Sequence, residues 1–182
     1  IEGLTGAENA KILEELNDLF YRNIFTLNKE EINKIIYKYN IIEQFTVKKI
    51  YPKGLNIKIK PTKFIAKLSS GNQLLIGANG KLISRNINNE SLPFMFGEFN
   101  TKKFLNFKKS VENSKFKFSE FKTLYYFPSN RWDVLTNKNI LIKLPQKNLL
   151  QSLNLAYRII NNKQLINENI VDLRITNHLI VK

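Results

Sequence analysis

Hydrophobic positions along the chain change period several times, and each change marks an element. Ile12, Leu13, Leu16, Leu19 and Phe20 recur at helical spacing after Thr5 and Glu8, a pairing that suits a capping box. A second helix is predicted where Ile32, Ile35, Ile36 and Tyr39 share a face, with Asn28 as its cap and Glu31 placed to reach back. After Asn40 the period drops to two: Phe45 and Val47 alternate with Thr46 and Lys48, then Leu55, Ile57 and Ile59 with Asn56, Lys58 and Lys60. Between these runs Pro52 and Gly54 suit the second and fourth positions of a type I turn, so the two runs form a half-buried hairpin. Residues Ile1 to Gly3 read as the end of a strand, which makes the order strand, helix, helix, strand, strand.

From Lys63 the pattern is one of short strands and turns. Asn79 and Gly80 are a two-residue hairpin signal between LLI and KLIS. A helix is expected over Thr101–Val111, where Phe104, Phe107 and Val111 share a face. Phe116–Phe127, Arg131–Thr136 and Ile140–Leu144 read as a meander, its last pair turned by Asn137 to Asn139. Pro145 stops it, and Leu149, Leu150, Leu153, Ala156, Tyr157 and Ile160 then form an amphipathic helix expected to pack on that sheet. In the last segment, Asn169–Val181, Val171, Leu173 and Ile175 alternate with Asp172, Arg174 and Thr176, which predicts one closing strand. At a sheet edge its unpaired backbone groups can template an incoming strand. The fold class is α+β.

Composition narrows the function classes. With 182 residues and 43% hydrophobic content the chain has the material for one large or two small cores, and the pattern favours two. No run of about 18 apolar residues is present to span a bilayer. With no cysteine there is neither a disulfide nor a thiolate metal site. The net charge of +14 invites a nucleic-acid reading, and its distribution is uneven: residues 1–62 carry net +2 and residues 63–182 net +12. Against that reading, the abundance of Lys, Asn and Ile together reflects A/T-rich codons, and Arg, the bidentate reader of guanine, is scarce beside Lys. No specific nucleic acid is expected. The basic second half keeps anionic lipid or an acidic partner open as ligands.

Catalytic machinery is not legible in this chain. His178 is the sole histidine, and no HExxH, Walker loop, GxSxG or GxGxxG occurs. The adjacent carboxylates Glu14 with Glu15 and Glu30 with Glu31 point about 100° apart on a helix and do not converge. No catalytic residue, cofactor or metal is therefore assigned, and the chain is read as not an enzyme. Trp132 is expected in the core, and the rings of Tyr125, Tyr126 and Phe127 in core and rim packing, in preference to a base-stacking platform. Asp172 and Arg174, two apart on a strand, are expected to form an ion pair.

The order of the first elements, together with IEGL, NIFTL and KKIYPKGLNIKI, resembles a POTRA domain, and more narrowly that of the FtsQ/DivIB family of bacterial cell-division proteins. Later pieces agree in order: NGKLIS, LPFMFGEF, RWDVL and VDLR. Gly77 departs from an expected aspartate, and Asn139 stands where a turn glycine is common, a substitution that left-handed backbone tolerates. The resemblance implies a POTRA domain over residues 1–62 with its first strand truncated, then an FtsQ-type, mostly antiparallel β domain with a packed amphipathic helix over 63–182. It further implies a longer protein with an upstream single transmembrane helix in the inner membrane, this region in the periplasm, and action at the division septum. The implied role is that of a scaffold. Its last strand receives a strand of FtsB, and so engages the FtsB and FtsL coiled-coil pair, while the POTRA domain recruits other divisome proteins. Carried over by position, the contact surface is Arg174, Ile175, Thr176, Asn177, His178 and Leu179. Two other readings stand beside it: a POTRA protein of outer-membrane assembly or secretion, and a basic nucleic-acid-binding protein.

Overall fold

The computed structural model describes residues 1–52, 54–69, 74–85, 92–98, 100–162, 169–175 and 180–181. The chain divides into two compact units, residues 1–63 with 77–83, and residues 64–76 with 84–182.

The first unit carries α1 (Gly6–Phe20), α2 (Lys29–Tyr37), β1 (Ile42–Ile50) and β2 (Gly54–Pro61). Ile12, Leu16 and Leu19 of α1 and Ile32 and Ile36 of α2 are buried with Ile57 and Ile59 of β2, each such side chain contributing about 1.5–3 kcal/mol. The alternation read in the hairpin is present: Phe45 and Val47 are half-buried, whereas Thr46 and Lys48 are exposed. Its turn differs from the expected one in having a cis Tyr51–Pro52 bond. Glu2 bridges Lys58 in parallel, its amide donating to the Ile57 carbonyl and its own carbonyl accepting from the Ile59 amide, so the first residues run beside β2.

Neither predicted capping box closes as drawn. Asn28 does cap α2, accepting from the Glu30 amide at 3.0 Å, but Glu31 is taken by Arg22 at 2.9 Å. At α1 the Thr5 hydroxyl donates to the Glu8 carboxylate at 2.8 Å instead of accepting from an amide. At α2 the carboxylate meant for the box is thus held by a guanidinium, and at α1 the hydroxyl meant to accept an amide is used as a donor.

The chain continues with β3 (Phe64–Leu68), β4 (Leu74–Gly77), β5 (Leu82–Ser84), β6 (Phe94–Phe96), β7 (Phe121–Phe127), β8 (Arg131–Thr136), β9 (Leu141–Lys143), β10 (Ile170–Asp172) and β11 (Ile180–Val181), with α3 (Thr101–Glu112) and α4 (Leu149–Ile160), all in the second unit except Gly77 and residues 82–83. The strand order is β11-β10-β9-β8-β7-β6-β3-β4-β5. Parallel neighbours need a long crossover, and α3 joins the parallel pair β6 and β7 as α4 joins β9 and β10. The pair β3–β6 is parallel as well, whereas β7–β8, β8–β9 and β10–β11 are antiparallel. The β4–β5 turn is not a two-residue one. Gly80 donates to the Gly77 carbonyl and Gly77 to that of Lys81, with Gly80 alone at positive φ, the pattern of a three-residue loop with a glycine bulge.

One row crosses the sheet as Leu68, Met95, Leu124, Val134, Ile142 and Val171, each opposite the next. This row faces the helices. Trp132, two residues from Val134, is 2% exposed and stacks on Phe107 of α3 at 4.4 Å, which places it in the core as expected. Phe104, Phe107 and Val111 are fully buried, as their spacing required. On α4 the buried positions are Leu153, Ala156 and Ile159, with Leu150 exposed, so the inward face is turned slightly from the one read in the sequence. Asn139 takes φ 59°, the left-handed turn that its side chain tolerates.

Candidate functional site

The expected closing strand does not run unbroken from Asn169 to Val181. β10 ends at Asp172, residues 173–175 lie in no strand, and β11 returns antiparallel, with Val171 opposite Val181 and Asp172 opposite Ile180. The reason is local: the Asp172 carboxylate accepts the Arg174 backbone amide at 3.1 Å, the two-residue reach of an Asx turn, and this amide is lost to the ladder. β11 is consequently the strand at the end of the sheet order.

Arg174 also grips Asp172 through its guanidinium, with Nε at 2.8 and 2.9 Å from the two carboxylate oxygens and Nη2 on Oδ2. The expected ion pair is therefore formed, but on a carboxylate buried to 9% exposure rather than on an open strand face. Bonding to Arg174 holds the Asp172 carboxyl below its usual range, with burial opposing. The same bond pushes Arg174 further up. Ile175 is 57% exposed, the first side chain past the pair to turn outward. Thr176, Asn177, His178 and Leu179, the rest of the expected contact surface, lie outside the described residues.

Sequence reading missed the charges that support this turn. Lys143 of β9 is opposite Asp133 of β8 on one side and Asp172 of β10 on the other. Asp133 is 5% exposed and binds Arg131 at 3.1 Å, whose guanidinium sits 4.4 Å above the Phe127 ring. Burial pushes the Asp133 carboxyl up despite the opposing pull of Arg131, Arg174 and Lys143. The row is legible only once strands are paired, because its members are 10 and 29 residues apart in sequence. Its arrangement can hold the end of β10 rigid and present β11; among the described residues no group of three or more His, Cys, Asp or Glu is placed to hold a metal ion. No helix among them is long and apolar enough to cross a membrane.

Comparison with known proteins agrees with this architecture. The family model for the FtsQ-type POTRA domain matches residues 1–60, and that for the C-terminal domain of cell division protein FtsQ/DivIB matches residues 65–174. The chain is similar to the protein named cell division protein FtsQ of Rhizobium meliloti, 24% identical over all of this chain and 60% of the relative. It is likewise 24% identical to the protein of that name from Rhizobium radiobacter, over 78% of this chain and 70% of the relative, and to that from Agrobacterium fabrum, over 78% and 46%. The chain thus spans roughly half to two thirds of the length of these relatives. Neither the outer-membrane assembly reading nor the nucleic-acid reading is favoured by these matches. On the match over residues 65–174, with the POTRA match before it, the chain belongs to the FtsQ/DivIB family of cell division proteins.

Proposed function

We propose that this chain is the extracytoplasmic part of a non-enzymatic divisome scaffold, anchored in the bacterial inner membrane by a single upstream helix and acting at the septum. Residues 1–62 act as the POTRA domain and residues 63–182 as the FtsQ-type β domain. The β domain receives a strand of FtsB and through it links the FtsB and FtsL pair to wall synthesis; the POTRA domain contributes to recruitment of other division proteins. No cofactor takes part.

The observation that carries this reading is the position of β11, last in the sheet order of a domain whose residues 65–174 match the family's C-terminal domain. An end strand offers unpaired amides and carbonyls to an extended peptide, and register is then fixed by side chains at alternate positions. On this reading the incoming strand lies beside β11, and Arg174, Ile175, Thr176, Asn177, His178 and Leu179 contact it. The test is titration of the chain with an FtsB peptide against Arg174→Ala and Ile175→Ala. Both substitutions are expected to weaken binding, Ile175→Ala by lost apolar contact and Arg174→Ala by a loosened turn. Unchanged affinity in both would remove the site and leave the family membership untouched.

A further inference from the structure

One end of the first unit, formed by the α1–α2 connection and the β1–β2 turn, presents apolar side chains outward. Tyr21 is 88%, Phe25 70% and Tyr51 59% exposed, and Phe25 stacks on Tyr51 at 5.0 Å. Beside them lies a hollow lined by Leu19, Ile24, Leu27, Pro52 and Leu55. Isolated exposed apolar residues are ordinary on a surface, but a stacked cluster around a hollow marks an interaction site. The loop that carries it is held in shape: Asn23 accepts the Phe25 amide on its side chain, and its carbonyl accepts the Thr26 and Leu27 amides. Phe25 is thus aimed outward by hydrogen bonds rather than left there by a slack loop.

Two further observations select the kind of partner. Arg22, which lines the hollow, is paired with Glu31 at 2.9 Å, and the Lys49 ammonium is drawn onto the Ile24 carbonyl at 2.7 Å, so both of these cations already have partners. The surface is aromatic before it is charged. The direction of the first residues matters as well, because Glu2 runs parallel to β2, opposite Lys58, and Ile1 lines a hollow with Leu19 and Leu55, which also line the aromatic one. A segment joined to Ile1 in line with Glu2 heads toward Gly54, and about three residues, roughly 10 Å, bring it level with the turn that carries Tyr51.

We propose that this end docks onto the interfacial layer of a lipid bilayer, with Phe25, Tyr51 and Tyr21 entering the headgroup region. The inference rests on the reading that a membrane anchor precedes Ile1, since that anchor would emerge at the aromatic end and hold it against the bilayer. Aromatic rings with a polar edge favour that layer, and a tethered domain needs only weak intrinsic affinity because the anchor sets a high effective concentration. With Arg22 and Lys49 engaged and the contact made by aromatic rings, docking needs no anionic lipid and survives added salt, unlike adsorption of a basic surface.

The chain has no cysteine, so single labels are straightforward. The whole 182-residue chain is coupled at its N-terminus to a lipid in neutral phosphatidylcholine vesicles, with a polarity-sensitive fluorophore on Arg22→Cys or, at the far end of β2, on Lys60→Cys. The expected result is a blue shift and quenching by a lipid-borne quencher at position 22 and neither at position 60, unchanged when anionic lipid or salt is added. Phe25→Ser with Tyr51→Ser abolishes the shift, and Phe25→Trp with Tyr51→Trp retains it, which separates docking from misfolding. Equal signals at 22 and 60 overturn the proposal. If the serine pair leaves the vesicle signal at position 22 intact and yet impairs septal recruitment of the full-length protein in cells, the surface belongs to a protein partner and lipid docking is likewise overturned. Because the tether supplies the anchor, a negative vesicle result leaves the division role standing, and absence of a natural upstream helix would sink that role without altering the vesicle result.

Discussion

Asp172 accepts hydrogen bonds from both the backbone amide and the guanidinium of Arg174, so the carboxylate that ends β10 also fixes the first step of the chain's return. Replacing Asp172 with Ala removes the acceptor from a backbone amide and is expected to cost about 1–2 kcal/mol. Its folded carboxyl lies below the ordinary value, so its contribution is fully present above the unfolded carboxylate pKa and is lost as pH falls through the lowered folded one. Urea unfolding of Asp172→Ala and the parent across acid pH checks this: the gap should be constant near neutrality and close in acid. A gap independent of pH would contradict it.

Asp133 has the opposite sign. Burial raises its carboxyl above the ordinary value, so ionised Asp133 opposes folding, and its favourable contribution is present below the unfolded pKa and lost as pH rises through the raised folded one. Asp133→Asn, similar in shape and uncharged, is therefore expected to match or exceed the parent in stability at neutral pH, with the advantage shrinking in acid. The same unfolding series decides it; a marked loss at pH 7 would mean that the Arg131 bond outweighs burial.

These two carboxylates show what the sequence could and could not disclose. Helical spacing located α2, α3 and α4 because Ile32 with Ile36, Phe104 with Phe107, and Leu153 with Ala156 each return to one face, and a face is a local property. The end of the meander was legible for the same reason, through period two in Ile140, Ile142 and Leu144, the last two of them fully buried. The reversal after Asp172 was not, because Leu173, Arg174 and Ile175 keep the alternation of a strand while the Asp172 side chain has already taken the amide the ladder needs. The charged row Asp133, Lys143 and Asp172 depends on strand pairing, one step of it across a helix-containing crossover, and no spacing rule reaches that far.

Tyr39, two residues past α2, ties that end of the helix to α1, its hydroxyl donating to Glu15 of α1 at 2.8 Å while Lys38 binds the other oxygen of the same carboxylate at 2.8 Å. Burial first, then the bond to Glu15, raises the Tyr39 phenol to about 12. Its contribution is present below the ordinary phenol pKa and lost as pH rises through that raised value. In an ultraviolet titration of the seven tyrosines, one should ionise later than the ordinary phenol range, and Tyr39→Phe should remove that late step. Retention of the step in the variant would assign it elsewhere.

Gly97 ends β6 at φ 102°, and a Cβ built there would lie 2.0 Å from the Tyr126 carbonyl oxygen of the neighbouring strand β7. Both the conformation and the space exclude a side chain. Gly97→Ala is expected to cost about 2–3 kcal/mol and to loosen the β6–β7 pairing, visible as faster amide exchange at Leu124 and Tyr126 than at Val134. Uniform exchange across β7 and β8 would show that the sheet absorbs the change elsewhere.

The Phe107–Trp132 stack couples α3 to the sheet at its most buried point, with Phe104 and Tyr126 closing around the indole at 6.4 and 4.7 Å. Phe107→Ala empties one face of that ring, and a buried Phe truncated to Ala typically costs about 3–5 kcal/mol, the transfer of the ring plus the cavity it leaves. Phe107→Leu fills much of the space and should cost less than half as much. Trp132 is the one tryptophan of the chain, so its fluorescence reads the site directly. The alanine variant should show red-shifted emission in the folded state if water reaches the indole, and unshifted emission with lowered stability if the cavity stays dry and apolar. Stability within 1 kcal/mol of the parent, on the order of a surface change, would mean that α3 does not hold the helix layer against β8.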